Sequence, residues 1–280
     1  MQANNTWLIT GCSTGLGRAL AEEGLERSNN VVITARNRDT ITEFERRYPG
    51  KALTMSLDVT NGAQINEVVA RAVSEFGGID VLFNNAACVL NGAVEEATDP
   101  EYRPMFETNY FGPLALMRAV LPGMRKNRRG HIINISSMAA ITGVIGFGHY
   151  AATKAALVLL SESLAEEVRP LGIRVTIIEL GGHATKGSEN MTIAVNAIPD
   201  YADTVATRQK WIRENSGREM GDARLAARAI VTAVSDANPP LRISIGADAV
   251  QRTYAKLASR KEEVDRWREL SESSARTPAR

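Results

Sequence analysis

The sequence predicts an α/β protein built on a doubly wound, seven-stranded, mostly parallel sheet with helices on both faces. Three observations carry that reading. Short apolar runs recur along the chain, the stretches between them have helical period and length, and several runs are dense in Val, Ile and Leu at consecutive positions. Consecutive apolar residues mark strands covered on both faces, as parallel strands between helix layers are. The repeated β–α alternation then calls for right-handed crossovers and a layer of helices on each side.

In chain order the strands are Trp7 to Thr10, Val31 to Ala35, Ala52 to Leu57, Asp80 to Asn84, His131 to Ser136, Ile173 to Glu179 and Leu241 to Ile245. Helix boundaries agree. Asp99-Pro100 supplies an N-cap followed by proline at the first helical position, and Val168-Arg169-Pro170-Leu171-Gly172 stops a helix before the sixth strand. After Gly181 the alternation fails, and about forty residues of mixed polarity follow without a strand; a loop of that length in a compact domain is usually functional. Residues 183–216 therefore read as a substrate lid. From Lys256 the chain begins as a charged helix and decays into Ser-Glu-Ser-Ser-Ala-Arg-Thr-Pro, a composition that cannot bury a core, so a disordered tail is expected towards Arg280.

Composition narrows the partners. With 280 residues, 44% hydrophobic and 23% charged, the chain suits one large domain, residues 1–255, followed by the charged segment 256–280. Lys and Arg number 33 against 32 Asp and Glu, so a net charge of +1 offers no field for nucleic acid or an anionic membrane, and a small molecule is the expected partner. Cys12 and Cys88 allow at most one disulfide and lack C-x-x-C spacing, which points to a reducing, cytoplasmic setting and to no metal site. Met1 to Asn5 is polar and uncharged, and no apolar run approaches the roughly 18 residues of a membrane span.

The first strand runs into Thr10-Gly11-Cys12-Ser13-Thr14-Gly15-Leu16-Gly17 and then an amphipathic helix. Glycines let the backbone turn tightly and approach a ligand, and the free N–H groups at a helix start bind pyrophosphate. A strand, glycine turn and helix in this order make the fold Rossmann-type. The spacing is G-x-x-x-G-x-G, and a glycine turn that merely packs helix on strand is the alternative.

Tyr150-Ala151-Ala152-Thr153-Lys154 opens a later helix, so Tyr150 and Lys154 share a face. A free phenol has a pKa near ~10, and a nearby ammonium together with a cofactor's positive ring favours phenolate and brings the group towards working pH, where it can exchange a proton with an alcohol. Such pairs also occur on solvated helices. Here Ser136-Ser137 ends the fifth strand, at the carboxyl edge where open α/β sheets bind ligands.

With the glycine turn, the serine and the Tyr/Lys pair in this order, the sequence resembles the short-chain dehydrogenase/reductase family over about residues 5 to 250. The resemblance implies a nicotinamide-dependent oxidoreductase that interconverts a carbonyl and an alcohol. It assigns Ser137 to holding the substrate oxygen, Tyr150 to proton transfer, and Lys154 to the nicotinamide ribose and the tyrosine pKa. Asn109, in Thr108-Asn109-Tyr110-Phe111-Gly112, resembles the helix asparagine that holds a water of the proton relay; a helix-interior Asn bonded to a backbone carbonyl is the other reading. Asp58, followed by Val59, resembles the residue at the adenine amino group, and Asn84-Asn85-Ala86-Ala87 resembles the family's N-N-A-G turn. The resemblance thus assigns Gly11, Ser13, Thr14, Gly15, Leu16 and Gly17 to the cofactor, joined by Asp58, Val59, Asn85, Ala86 and Ala87. Ala87 departs from that turn's glycine. Glu179-Leu180-Gly181-Gly182-His183-Ala184-Thr185 resembles the P-G-x-x-x-T turn beside the nicotinamide, with Gly181, His183 and Thr185 as contacts and Leu180 in place of proline, which frees the turn's φ. Met138 and Ile145, between serine and tyrosine, are expected to line the substrate pocket or to be core. The resemblance also implies a homodimer or homotetramer, paired through helices near 101–127 and 150–169.

Cofactor choice is read at the end of the second strand. NAD-preferring folds place an acid there for the ribose 2′-hydroxyl, and Ala35 takes that place here, followed by Arg36 and Arg38. A guanidinium suits a 2′-phosphate, so NADP(H) is expected ahead of NAD(H), with Arg36 as its contact. Two other classes compete: a cofactor-binding regulatory protein with little turnover, and a methyltransferase, which also opens on a glycine turn. The second does not explain Tyr150 and Lys154.

Overall fold

A computed structural model describes residues 5–182, 191–215 and 221–274. Seven parallel strands form one sheet in the order β3-β2-β1-β4-β6-β7-β9, with β1 Thr6–Ile9, β2 Asn30–Ala35, β3 Ala52–Ser56, β4 Val81–Asn84, β6 Gly130–Ser137, β7 Ile173–Leu180 and β9 Arg242–Ile245. The order reverses at β1/β4, so the crevice above their carboxyl ends is where an open α/β sheet takes its ligand. Successive residues of a strand face opposite sides. Trp7, Ile9, Ile33 and Phe83 therefore bury against α1 (Gly15–Glu26) and α8 (Ala223–Val234), while Leu8, Val32, Leu82 and Ile132 bury against α3 (Gly62–Phe76), α5 (Gly112–Asn127) and α6 (Gly148–Val168). A short helix, α2 (Glu43–Arg47), adds Phe44 to the first layer. Gly24 lets α1 lie flat on the sheet, because a Cβ there would come within 2.7 Å of the Trp7 ring.

The expected strands agree with the observed ones to within a residue at each end. Four features differ or are invisible in the sequence. The cap of α4 (Asp99–Phe106) is Thr98, whose N–H and hydroxyl donate to the Glu101 carboxylate at 2.8 and 2.7 Å, so the cap lies one residue before Asp99 and the helix begins at Asp99 itself. The stretch after Gly181, expected to hold no strand, contains β8 (Thr192–Ile193), which pairs with β5 (Leu90–Asn91), followed by a helical stretch ending in α7 (Thr207–Asn215). The charged helix expected from Lys256 already begins at Ala247 and forms α9 (Ala247–Glu272). α4 and α5 are joined by a π-helical turn, Glu107–Phe111. The expected disorder at the end of the tail falls on 275–280, and parts of the expected lid fall on 183–190 and 216, outside the described residues.

Candidate active site

The glycine turn is shaped by contacts that admit no side chain. Gly11 and Gly15 have φ of +71° and +61°, conformations that L side chains rarely adopt. A Cβ on Gly17 would come within 2.4 Å of both Gly11 O and Asn85 Nδ2. Asn85 is the clamp: its Nδ2 donates to Thr10 O at 2.8 Å and Gly11 O at 3.1 Å, while the Asn85 and Ala86 N–H groups both donate to Thr10 Oγ1. Thr14 precedes α1 in an extended conformation without capping the helix by its side chain, and no acid lies in the first turn. The helix start, with half-buried Ser13 and Thr14 and buried Leu16, thus presents backbone donors and a positive dipole end towards the crevice. Cys12 is buried within the turn, its thiol pushed up to about 12 by that burial, so it fills space and is not poised for redox chemistry.

At the edge of the same crevice lie Arg36, exposed, and Asp58, half-buried. Asp58 accepts from the Thr60 N–H and hydroxyl, which hold its carboxyl below the usual range. Val59 is buried under the start of α5, where Gly112 leaves room for it. Arg38 is held elsewhere: its Nε donates to Thr54 O at 2.9 Å and its guanidinium pairs with Glu45 at 3.1 Å. Arg36 makes no ion pair among the described residues.

The structure brings Ser137, Tyr150 and Lys154 together. Ser137 closes β6, its Oγ accepting the Ala139 N–H at 3.1 Å, and its hydroxyl opposes, more weakly than burial, the rise of the Tyr150 phenol. Tyr150 lies in the first turn of α6. Lys154, one turn on and almost wholly buried, donates to Ile135 O at 2.9 Å and lies 5.9 Å from the Tyr150 ring centre. Burial pushes the Tyr150 phenol up to about 12 and the Lys154 ammonium down to about 8. The expected lowering of the phenol by Lys154 is therefore not supplied by the chain's own groups, because desolvation dominates at both.

Asn109 sits in the π-helical turn, fully buried, and grips Cys88: its Oδ1 accepts the Cys88 N–H at 3.0 Å and its Nδ2 donates to Cys88 O at 2.9 Å and Thr153 Oγ1 at 3.1 Å. Thr153 in turn donates to Tyr150 O at 2.8 Å. Asn109 thereby ties the chain after Ala87 to the helix that carries Tyr150. His149 points away, bonding Val94 O and stacking on Tyr102 at 4.7 Å.

Gly148 also forms a wall of an apolar cleft of about 450 Å³, whose other walls include Val94, Ile145, Tyr201, Thr204 and Val205. Ile145 is thus a lining residue, whereas Met138, which opens a 3₁₀ turn after Ser137, is not among the residues that line it. His183 and Thr185 lie outside the described residues. Nothing in the sequence marks Thr10 as the hub of the turn, or Tyr201 and Val205 as cleft walls. A period or motif does not register contacts between segments so far apart.

A family model described as short chain dehydrogenase matches residues 5–195. The chain belongs to the short-chain dehydrogenase family. It is 37% identical, over 90% of its length and 91% of the relative's, to the 3-ketodihydrosphingosine reductase of Bacteroides thetaiotaomicron. A solved short-chain dehydrogenase from Streptomyces avermitilis superimposes with a TM-score of 0.90 at 38% identity, covering 98% of this chain and 99% of that one. A serine dehydrogenase solved in its closed form with NADP+ gives a TM-score of 0.75 at 26% identity, covering 86% of this chain and 94% of that one. Family members are NAD(P)-dependent dehydrogenases and reductases, and this chain is an oxidoreductase of that kind.

Against the short-chain dehydrogenase pattern, Leu180 has a structural consequence. Where a proline would withhold its N–H, β7 continues through Leu180, which pairs with Ile245 of β9, and Gly181 N donates to Ile245 O at 2.8 Å. Gly181 then packs on Asp248, whose carboxylate accepts the Gly182 N–H at 2.8 Å, so the turn is held by α9 rather than by a fixed φ. Ala87 is exposed.

Proposed function

We propose that this chain is an NADP(H)-dependent carbonyl reductase, acting as an alcohol dehydrogenase in the reverse direction, with Tyr150 as its acid/base. The observation that carries the reading is a buried Lys154 ammonium 5.9 Å from the Tyr150 ring centre, on the helix packed against the strand that ends at Ser137, in a fold whose glycine turn leaves no room for side chains. When bound, the nicotinamide supplies or accepts the hydride. The pyrophosphate would lie on the N-terminus of α1 over Gly11, Ser13, Thr14, Gly15, Leu16 and Gly17, with Asp58, Val59, Asn85, Ala86 and Ala87 framing the adenosine side and Gly181 the nicotinamide side. Ser137 holds the substrate oxygen, Tyr150 gives or takes its proton, and Lys154 steadies the charge that remains on the phenol oxygen. Asn109 acts as a positioning residue through Cys88 and Thr153. The apolar walls of the cleft favour a carbonyl carried on an apolar body. A cytoplasmic setting fits two free cysteines. Oxidation of NADPH in the presence of a panel of ketones and aldehydes tests the activity; binding of NADPH without turnover on any of them would favour the regulatory reading.

NADP(H) leads NAD(H) because Arg36 is exposed, with no ion pair among the described residues, while Ala35 supplies no acid. A hydrogen bond to a charged group contributes about 1.5 to 3 kcal/mol, so Arg36→Ala is expected to weaken NADPH about tenfold to a hundredfold and NADH far less. Fluorescence titration at two salt concentrations reads both the loss and its screening. Tighter binding of NADH than NADPH by the wild type would overturn the preference.

The segment after Ile193 is proposed as the described part of a lid, held by Glu96. Glu96 is buried, and its carboxylate accepts the Ala93 N–H at 2.8 Å and the Ile198 N–H at 3.0 Å. Glu96→Ala leaves both donors unpaired, which costs about 1–3 kcal/mol each where they remain buried. Limited proteolysis should cut 194–205 faster in the variant, with KM raised about tenfold; equal cleavage would remove Glu96 from the lid.

A further inference from the structure

Helix α9 is long and poorly covered by its own chain. Of its residues only Ala249, in the first turn, is buried, so most of a rod of about 39 Å lies in solvent. Its exposed apolar residues are not scattered. Val250, Leu257 and Val264 recur every seven residues, flanked by Tyr254, Trp267 and Leu270, and Leu257 and Trp267 are 60% and 55% exposed. A seven-residue apolar repeat supplies one of the two seam positions of a paired helix, the other being held here by Thr253, Arg260 and Trp267, and an exposed stripe of this length on a water-facing helix marks a contact surface.

Charge identifies the occupant. The first half carries Arg252, Lys256, Arg260 and Lys261 against Asp248, and the second carries Glu262, Glu263, Asp265, Glu269 and Glu272 against Arg266 and Arg268. The halves are opposite in sign and the whole helix is neutral, which removes attraction to an anionic lipid surface. Asp265 is paired within the helix to Lys261 and Arg268, but Lys256 and Glu263 make no ion pair among the described residues. A helix whose second half complements its first is complementary to itself when reversed. We infer that α9 pairs antiparallel with the α9 of a second copy of this chain, about a two-fold axis near Arg260. In that pairing Val250, Leu257 and Val264 of one copy meet the apolar stripe of the other, and Lys256 of each copy faces Glu263 of the other, since both stand at the same flanking heptad position.

Light scattering and sedimentation of the full chain test the pairing. Leu257→Glu with Val264→Glu is expected to halve the assembled mass, whether the wild type is a dimer or a tetramer completed through α4 to α6. Lys256→Glu and Glu263→Lys, each purified alone, should associate about tenfold more weakly than the wild type, and mixing the two should restore wild-type association, because each supplies the charge the other lacks. Circular dichroism and cofactor binding establish that the variants are folded. A wild type of monomer mass, an unchanged mass in the Leu257/Val264 variant, or a mixture no tighter than its parts would overturn the inference. Sedimentation of the wild type with vesicles of anionic phospholipid, at the expense of self-association, would overturn it in favour of a membrane.

Discussion

Tyr150→Phe is expected to lower turnover by about 10² to 10⁴ while leaving NADPH affinity within about twofold. The substitution deletes one oxygen and keeps the ring, which packs on Phe147 edge to face at 6.4 Å. Loss of a positioned acid/base reduces rates by that amount. Burial pushes the phenol up to about 12, so at neutral pH it holds its proton and is ready to donate it to a carbonyl oxygen that receives hydride. In the alcohol-oxidising direction the same group must first lose the proton. Oxidation should therefore speed up as pH rises, and reduction should lose rate only as pH approaches the phenol's own range. Steady-state rates on a competent ketone and equilibrium fluorescence titration separate chemistry from binding. A Tyr150→Phe enzyme with near wild-type rate would refute the assignment of Tyr150 while leaving the cofactor site intact.

What the sequence can show depends on how local each feature is. Parallel strands covered on both faces are continuous apolar runs, so β1, β2 and β4 are legible to within a residue. The turn from Gly11 to Gly17 is legible because its chemistry and its spacing are both local, and Ser137, Tyr150 and Lys154 because their order along the chain is characteristic. The pairing of Leu90–Asn91 with Thr192–Ile193 is not, since strands of two residues have no period and are made by a contact about a hundred residues away. Asp99 looks like a cap beside Pro100, yet the two bonds that Thr98 donates to the Glu101 carboxylate place the cap at Thr98. Lys154 shows its charge in the sequence but not its burial. The sequence implies a phenol lowered by lysine and the cofactor's positive ring together, whereas in the chain by itself the fold desolvates both groups and raises one while lowering the other.

That burial makes Lys154→Met an experiment with two opposite outcomes: turnover is expected to fall about 10²-fold or more, and the cofactor-free protein is expected to gain about 1 kcal/mol of stability at pH 7. The folded-state value of Lys154, about 8, lies below the ordinary 10.5. Keeping it protonated in the folded chain costs about 3 kcal/mol at neutral pH, at 1.36 kcal/mol per unit. Methionine removes that cost and keeps most of the stem's packing, but it orphans the Ile135 carbonyl, which costs about 1–3 kcal/mol. The sign with pH follows from linkage. Between about 8 and 10.5 the unfolded wild type binds more protons than the folded one, so wild-type stability rises through that window and the variant's advantage shrinks. Above it the lysine is neutral in both states, and the variant should be the less stable by the orphaned carbonyl alone. Urea denaturation at pH 7, 9 and 10.5 reads the trend, and the rate loss at pH 7 reads the missing charge behind Tyr150. A variant less stable than the wild type at pH 7, or one whose advantage grows with pH, would show that the fold does not hold Lys154 against its charge.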